Sequence, residues 1–419
     1  MKNIFSCVDI GSSAIKIIVS EYFEKKLNVL ASTSYPTSSI KKGVVVDDDL
    51  FEKDIKSAFN EVNKSLGVKV DKVITSIPIY DAEYTLVDGY TTITNDDYII
   101  NGNDMVNALQ ASIYNKLDKS RELVTIVPIR YTLDDNEKMV VKEPNGLQAK
   151  KLKAYAMMVT VPKKNIYKLI TILEKIGVEV VDILFGSLGD YTIFKESYFD
   201  DETVGVINIG ADKTELTTFN KGVITNSTIL QDGSRDIDRE ISYVYNIKMS
   251  QAKRIKEIFS LANKEYASQS ELYEITNKSG IKTKINQYEV SEIVENKLIE
   301  LIQNSKKELN HLTKKEIRYI IVTGGISNIP GFYIICKDIL KDQVITKKLN
   351  IIGIRDNSYS SCIGMIGYFI NKLRIRGKAY TMFDEEKQIE LIDGRRNEEF
   401  SNTSVFGKVF DYLVGNKED

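Results

Sequence analysis

The chain has 419 residues, enough for two or more domains, and its 42% hydrophobic and 28% charged content is an ordinary globular balance. Its 57 basic and 59 acidic residues nearly cancel, so no electrostatic footprint favours nucleic acid as a partner. Cys7, Cys336 and Cys362 lie far apart in apolar runs, which excludes a disulfide framework or a metal spacing and makes them reduced core residues. The single histidine, His311, falls in a Lys/Glu-rich helical stretch and reads as a surface residue. Charge appears too early, at Asp9, for a signal peptide, and no run approaches the ~20 apolar residues of a spanning helix. A cytoplasmic protein, or one on a cytoplasmic surface, is expected.

The chain opens on a strand–turn–strand unit. Phe5 to Ile10 is β-branched and apolar, Gly11-Ser12-Ser13 is a turn, and Ala14 to Val19 resumes the strand. Leu27–Ser32 is a third strand. Asp47, Asp48 and Asp49 load the start of a helix with negative charge, and its apolar spacing runs through Phe51, Ile55, Ala58, Phe59, Val62 and Leu66 to a stop at Gly67. Asp71–Pro78 is the next strand. Residues 84–161 read as an inserted α+β unit. It has strands near Tyr84–Gly89, Leu123–Leu133 and Lys150–Val161, and a helix from about Asp104 to Leu117 capped by Gly102 or Asn103. A Glu143-Pro144-Asn145-Gly146 turn precedes the last strand. Pro162 then starts a helix ended by Gly177, and Val178–Phe185 is a strand.

The opening design returns at Val204. An apolar strand ends in Gly210-Ala211-Asp212, and alternation resumes at Thr214–Phe219. Asp9-Ile10-Gly11 superimposes on Asn208-Ile209-Gly210, so the architecture is duplicated, with two turns able to face each other and present backbone amides to one polyphosphate. Gly222–Leu230 is a third strand, Gly233 opens a helix, and Met249–Phe259 is another. Asn263–Lys284 reads as an exposed polar excursion, and Ser291–Leu309 as a long helix. Ile317–Thr323 is a buried strand feeding Gly324-Gly325, whose missing side chains let a planar ring lie close to the backbone. A last helix, around Ser360–Tyr368, carries small residues suited to a close crossing. The segment 374–403 is charge-rich and reads as a linker. Beyond it Val405, Phe406, Val409, Phe410 and Leu413 share one helical face. That face has three possible destinations: the body of the protein, a partner, or a membrane interface.

The three glycine turns in this order resemble the actin/Hsp70/sugar-kinase superfamily. Three further features are similar to the FtsA family of actin-like bacterial division proteins: Ser39-Ile40-Lys41-Lys42-Gly43-Val44-Val45-Val46-Asp47, the insertion with Glu143–Leu147, and the amphipathic tail. The resemblance implies an α/β, duplicated actin-like ATPase fold with two lobes around a nucleotide cleft. Residues 1–83 and 162–200 would form the first lobe, 84–161 the inserted subdomain, and 201–373 the second lobe with a helical part at about 235–306. A linker over 374–403 and a membrane-targeting helix over 404–416 would follow.

ATP with Mg²⁺ is the implied cofactor. Gly11, Ser12, Ser13 and Lys16 would meet phosphates, with Gly210, Ala211 and Asp212 closing from the other side. Asn208 and Gly233 belong to that second wall, Gly324, Gly325 and Ile326 would pack on adenine, and Asp9 would hold the hydration shell of Mg²⁺. Implied partners are further copies in a filament, the C-terminal tail of the tubulin-like FtsZ on the helical part, other division proteins, and lipid through Val405, Phe406, Val409, Phe410 and Leu413, at the cytoplasmic face of the division site. The chain departs from the family pattern at Asn208, where an Asp is usual, at Asp212-Lys213, where Gly-Thr is usual, and at Lys253, which stands where the ribose-contacting Glu is usual; Lys253 and Lys256 are the implied nucleotide contacts of that helix. Backbone amides can still grip phosphates, but no catalytic residue is assigned and slow ATP turnover at most is expected. Competing readings are a PilM-type scaffold of a pilus machine, a small-molecule kinase and an Hsp70-type chaperone.

Overall fold

The computed structural model describes residues 3–134, 136–377 and 379–391. Two five-stranded sheets repeat one plan. In the first lobe Asn3–Ile10, Ala14–Phe23 and Lys26–Pro36 form an antiparallel meander. Lys72–Ile77 and Glu179–Phe185 extend it in parallel beyond Asn3–Ile10. In the second lobe Thr203–Ile209, Thr214–Asn220 and Val223–Leu230 form the meander, and Tyr319–Thr323 and Val344–Ile345 add the parallel edge. The duplication extends to the turns. The Gly11 amide donates to the Ala14 carbonyl at 3.1 Å, and the Gly210 amide to the Lys213 carbonyl at 2.9 Å.

Helix Asp48–Leu66 forms as its ends dictate. Asp47 accepts from the Leu50 amide at 3.0 Å, and Gly67 adopts φ +80°, where a side chain would be strained. Its apolar stripe is buried against the first sheet. Residues Glu83–Thr92, Arg121–Leu133, Asn136–Val141 and Lys151–Pro162 form a separate antiparallel sheet covered by helix Gly102–Ile113. Its cap is Asn101, not Gly102 or Asn103, because Asn101 and Asp104 cap each other reciprocally. The unit has its own core, with Met105, Leu109, Tyr131 and Leu152 buried together. It also touches the second lobe, where Tyr84 and Ser227 hydroxyls lie 2.5 Å apart.

The expected excursion at Asn263–Lys284 contains a hairpin, Leu272–Thr276 with Lys282–Asn286. Asn277 closes its turn by accepting from the Ser279 and Ile281 amides, and Gly280 takes φ +79°. The long helix consequently begins earlier than expected, at Gln287, capped by Asn286. A larger correction concerns the linker. The last long helix runs from Ser360 to Ile375, and residues 379–391 lie against the first strand instead of standing off it. The Met382 amide donates to the Ile4 carbonyl at 2.9 Å, and Met382, Phe383 and Leu391 are buried. Widely spaced apolar residues between charges suffice to dock a strap, which composition alone does not reveal. The rest of the expected linker and the helix over 404–416 lie outside the described residues.

A buried helix without counterpart among the expected elements is Gly186–Phe194. It is buried on nearly all sides, so it has no polar face to generate a helical period. It follows a first-lobe strand and packs on the second-lobe sheet, while Ser360–Ile375 packs on the first-lobe sheet. The two helices cross between the lobes at Gly189 and Gly364. A Cβ on Gly364 would sit 2.0 Å from the Gly189 carbonyl oxygen, so the backbones touch.

Candidate functional site

A cavity of about 870 Å³ opens between the lobes, within the range of small-molecule sites. The first turn contributes Asp9, Gly11, Ser12, Ser13 and Lys16 to its wall, and the second contributes Asn208, Gly210, Ala211 and Lys213 from the opposite side. The hairpin turns thus face each other across one space. The second turn rests on a helix N-terminus: the Ser234 and Arg235 amides donate to the Gly210 and Ala211 carbonyls at 2.9 and 2.8 Å. Gly233 underlies that contact, since a Cβ there would meet the Ala211 carbonyl oxygen at 2.5 Å.

Gly324, Gly325 and Ile326 form a third wall. Gly324 has φ +106°, and a Cβ on it would lie 2.3 Å from the Ile209 carbonyl oxygen. Glycine is therefore required where the third motif presses on the strand end leading into the second turn. Lys253 and Lys256 also line the cavity. Their roles differ, because Lys256 is buried, pairs with Asp238 at 2.7 Å and donates to the Ser234 carbonyl at 3.0 Å. It is a structural cation. Lys253 is half-exposed and stands 3.8 Å from the Glu257 carboxylate.

Two expected residues stand off the cavity wall. Asp212 is buried and turned towards Arg235, at 2.5 Å, and towards the Lys42 amide at 3.5 Å. Arg235 captures the Asp212 carboxylate beside the turn. Gly233 is likewise beneath the loop rather than on the wall. Lys16 does reach the cavity, where its ammonium donates to the Ser358 carbonyl at 2.6 Å. Lys213, Arg235 and the hairpin around Gly43 line the space as well, although none of them is among the residues expected to contact the ligand.

Behind the cavity floor lies Asp190, fully buried in the unanticipated helix. One carboxylate oxygen accepts from Ser360 at 2.6 Å and Ser361 at 3.0 Å, the other from the Asn208 amide at 2.6 Å. Burial pushes its pKa up to about 7, the Ser360, Asn208 and Ser361 hydrogen bonds oppose the rise, and the nearby Asp9 charge adds to it. The readable signal was an acid set inside an otherwise apolar run. Asn208 therefore lines the cavity while holding the Asp190 carboxylate behind it.

The chemistry of the wall suits an anionic ligand. Backbone turns, lysines and an arginine surround the space, and glycine leaves one wall flat. The Asp9 carboxylate is the group on the first turn suited to a hard cation, held directly or through water. Among the described residues no cluster of three or more His, Cys, Asp or Glu could hold a metal by protein ligands alone.

Comparison with known proteins gives the same architecture a lineage. The model of the cell division protein FtsA matches residues 205–364, and that of the SHS2 domain inserted in FtsA matches residues 82–160, together more than half of the chain. The chain belongs to the FtsA family. FtsA of Bacillus subtilis is 24% identical over 396 residues, covering 93% of this chain and 88% of its own length. FtsA of Enterococcus faecalis is 23% identical, with 97% of each chain covered. Among solved structures, the PilM–PilN complex of type IV pilus biogenesis has a TM-score of 0.56 at 14% identity, covering 89% of this chain and 98% of that one. MreB5 of Spiroplasma citri bound to ADP has a TM-score of 0.55 at 14% identity, covering 90% and 99%. These structural likenesses establish the actin-like fold, and the FtsA-specific insertion distinguishes this chain within it. No helix among the described residues of this FtsA-family chain is long and apolar enough to cross a membrane.

Proposed function

We propose that this cell-division protein binds ATP with Mg²⁺ in the interlobe cavity, polymerises, and tethers FtsZ filaments to the cytoplasmic face of the membrane at the division site. The observation that carries the nucleotide reading is the pair of equivalent turns facing one cavity, backed by a glycine wall. Gly11, Ser12 and Ser13 would meet phosphates from one side and Gly210 and Ala211 from the other. Gly324, Gly325 and Ile326 would border the base. Bound Mg²⁺ would neutralise phosphate charge, with Asp9 orienting its water shell. Asn208 has no carboxylate to activate water, and Asp190 is held behind it, so nucleotide serves chiefly to keep the lobes closed.

The FtsZ tail is assigned to the helical part of the second lobe, about 235–306, and lipid attachment to the 404–416 segment. Partial burial of Phe406, Phe410 and Leu413, each about 1.5–3 kcal/mol when complete, gives one copy only reversible attachment. A filament adds such attachments together and binds firmly.

Vesicle co-sedimentation tests the tether. Full-length protein with ATP should pellet with liposomes, and protein lacking residues 405–419 should stay in the supernatant while still binding a fluorescent ATP analogue. Equal pelleting of both forms would remove the tail from the mechanism.

A further inference from the structure

The phosphate end of the cavity is bridged by contacts that run from one lobe to the other. Arg235, on the first turn of helix Ser234–Val244, donates to the Ser12 carbonyl at 3.1 Å and pairs with Asp212 at 2.5 Å. Asp212 in turn faces the Lys42 amide, and the Gly43 amide donates to the Ser12 hydroxyl at 3.2 Å. Ser12 and the Lys42–Gly43 turn belong to the first lobe, Asp212 and Arg235 to the second. The guanidinium is the hub, because its planar fork engages a carboxylate and a carbonyl at once.

We propose that Arg235 and Asp212 form a cross-lobe latch that fixes the separation of the two phosphate loops and sets the rate at which nucleotide leaves. The inference rests on the nucleotide reading above. Opening the cleft separates Arg235 from Ser12 and Asp212 from Lys42, so each bond must break before a ligand gripped by both loops can escape. The ion pair is not a surface decoration. The Asp212 side chain is 6% exposed, and among the described residues Arg235 is the cation that pairs with it. Arg235 also neutralises a carboxylate that would otherwise repel phosphate across the loop. It is a positioning residue, acting on the ligand through Ser12 and the second loop.

The test combines release kinetics with a distance that needs no ligand. In full-length protein, Arg235→Ala should speed dissociation of a fluorescent ATP analogue about tenfold or more, as loss of a charge-assisted bond predicts. Arg235→Lys should give only partial recovery, since an ammonium cannot reproduce the fork. Spin labels at Lys53→Cys and Ile258→Cys, both exposed positions, then report the lobe separation without nucleotide, the native thiols being buried. Arg235→Ala should lengthen or broaden that distance. Unchanged release and unchanged distance would overturn the latch. Slow release restored by adding Asp212→Asn to Arg235→Ala would also overturn it, because simple repulsion would then explain the loss. If the unmodified protein binds no analogue, the nucleotide reading fails, and the distance measurement still decides whether the latch exists.

Discussion

Gly364→Ala is expected to unfold the junction between the lobes, while Gly367→Ala, one turn further along the same helix, stabilises the protein. Both changes exchange glycine for the best helix former, a gain of roughly 0.8–1.0 kcal/mol. The surroundings decide the sign. At Gly364 the added methyl would stand 2.0 Å from the Gly189 carbonyl oxygen and 2.4 Å from its carbonyl carbon. These are backbone atoms of a buried helix, so no rotamer change can make room. At Gly367 the nearest atom is a Thr192 methyl at 3.5 Å, an ordinary contact. Overpacking of a well-filled core typically costs about 1–3 kcal/mol, and a clash requiring two helices to separate belongs at or beyond the top of that range. Urea melts of the two variants against the parent should therefore move in opposite directions. A Gly364→Ala variant as stable as the parent would mean that the lobes are not held by this crossing.

The same junction explains what could be read in the sequence. The two hairpin turns were legible because a β-branched strand, a glycine turn and renewed alternation make a pattern that needs no tertiary information. Their equivalence at Asp9-Ile10-Gly11 and Asn208-Ile209-Gly210 is repeated in the backbone as the same turn-closing hydrogen bond. Small residues in the last helix pointed to a close crossing, and Gly364 makes one with Gly189. The partner helix, Gly186–Phe194, was not legible. Its residues are buried on most sides, and periodicity needs a face left to solvent. The same blindness hid Asp190. Asp212 and Arg235 show a different limit: the turn could be recognised, but which way its acid points depends on an arginine 23 residues later in the chain. The strap at 379–391 was obscured by its charges, since three buried apolar side chains dock it.

Asp190→Asn is expected to make the nucleotide-free protein more stable at alkaline pH and to flatten its pH dependence near neutrality. The carboxyl is fully buried, its partners are neutral hydroxyls and one amide, and Asp9 contributes further negative charge. Its pKa rises from an ordinary 3.8 to about 7 in the folded chain. Between those values the native state binds a proton that the unfolded state has lost, so stability falls as pH rises through the window. The favourable proton is fully retained below the ordinary value and is gone above about pH 7. At 1.36 kcal/mol per pKa unit, the accumulated loss is about 4 kcal/mol at most, a large share of a marginal stability. Asparagine has the same shape, cannot ionise, and can still accept from Ser360 or Ser361, with the Asn208 amide turned to accept from it. Denaturation at pH 5.5 and pH 8.5 isolates the effect, because other titrating groups contribute equally to parent and variant. The difference between them should grow in favour of the variant as pH rises. Asp9→Asn should shift the parent's transition to lower pH, since it removes one cause of the raised pKa. Parallel pH profiles for the parent and Asp190→Asn would mean that Asp190 stays ionised behind the second turn, held there by its hydrogen bonds despite its burial.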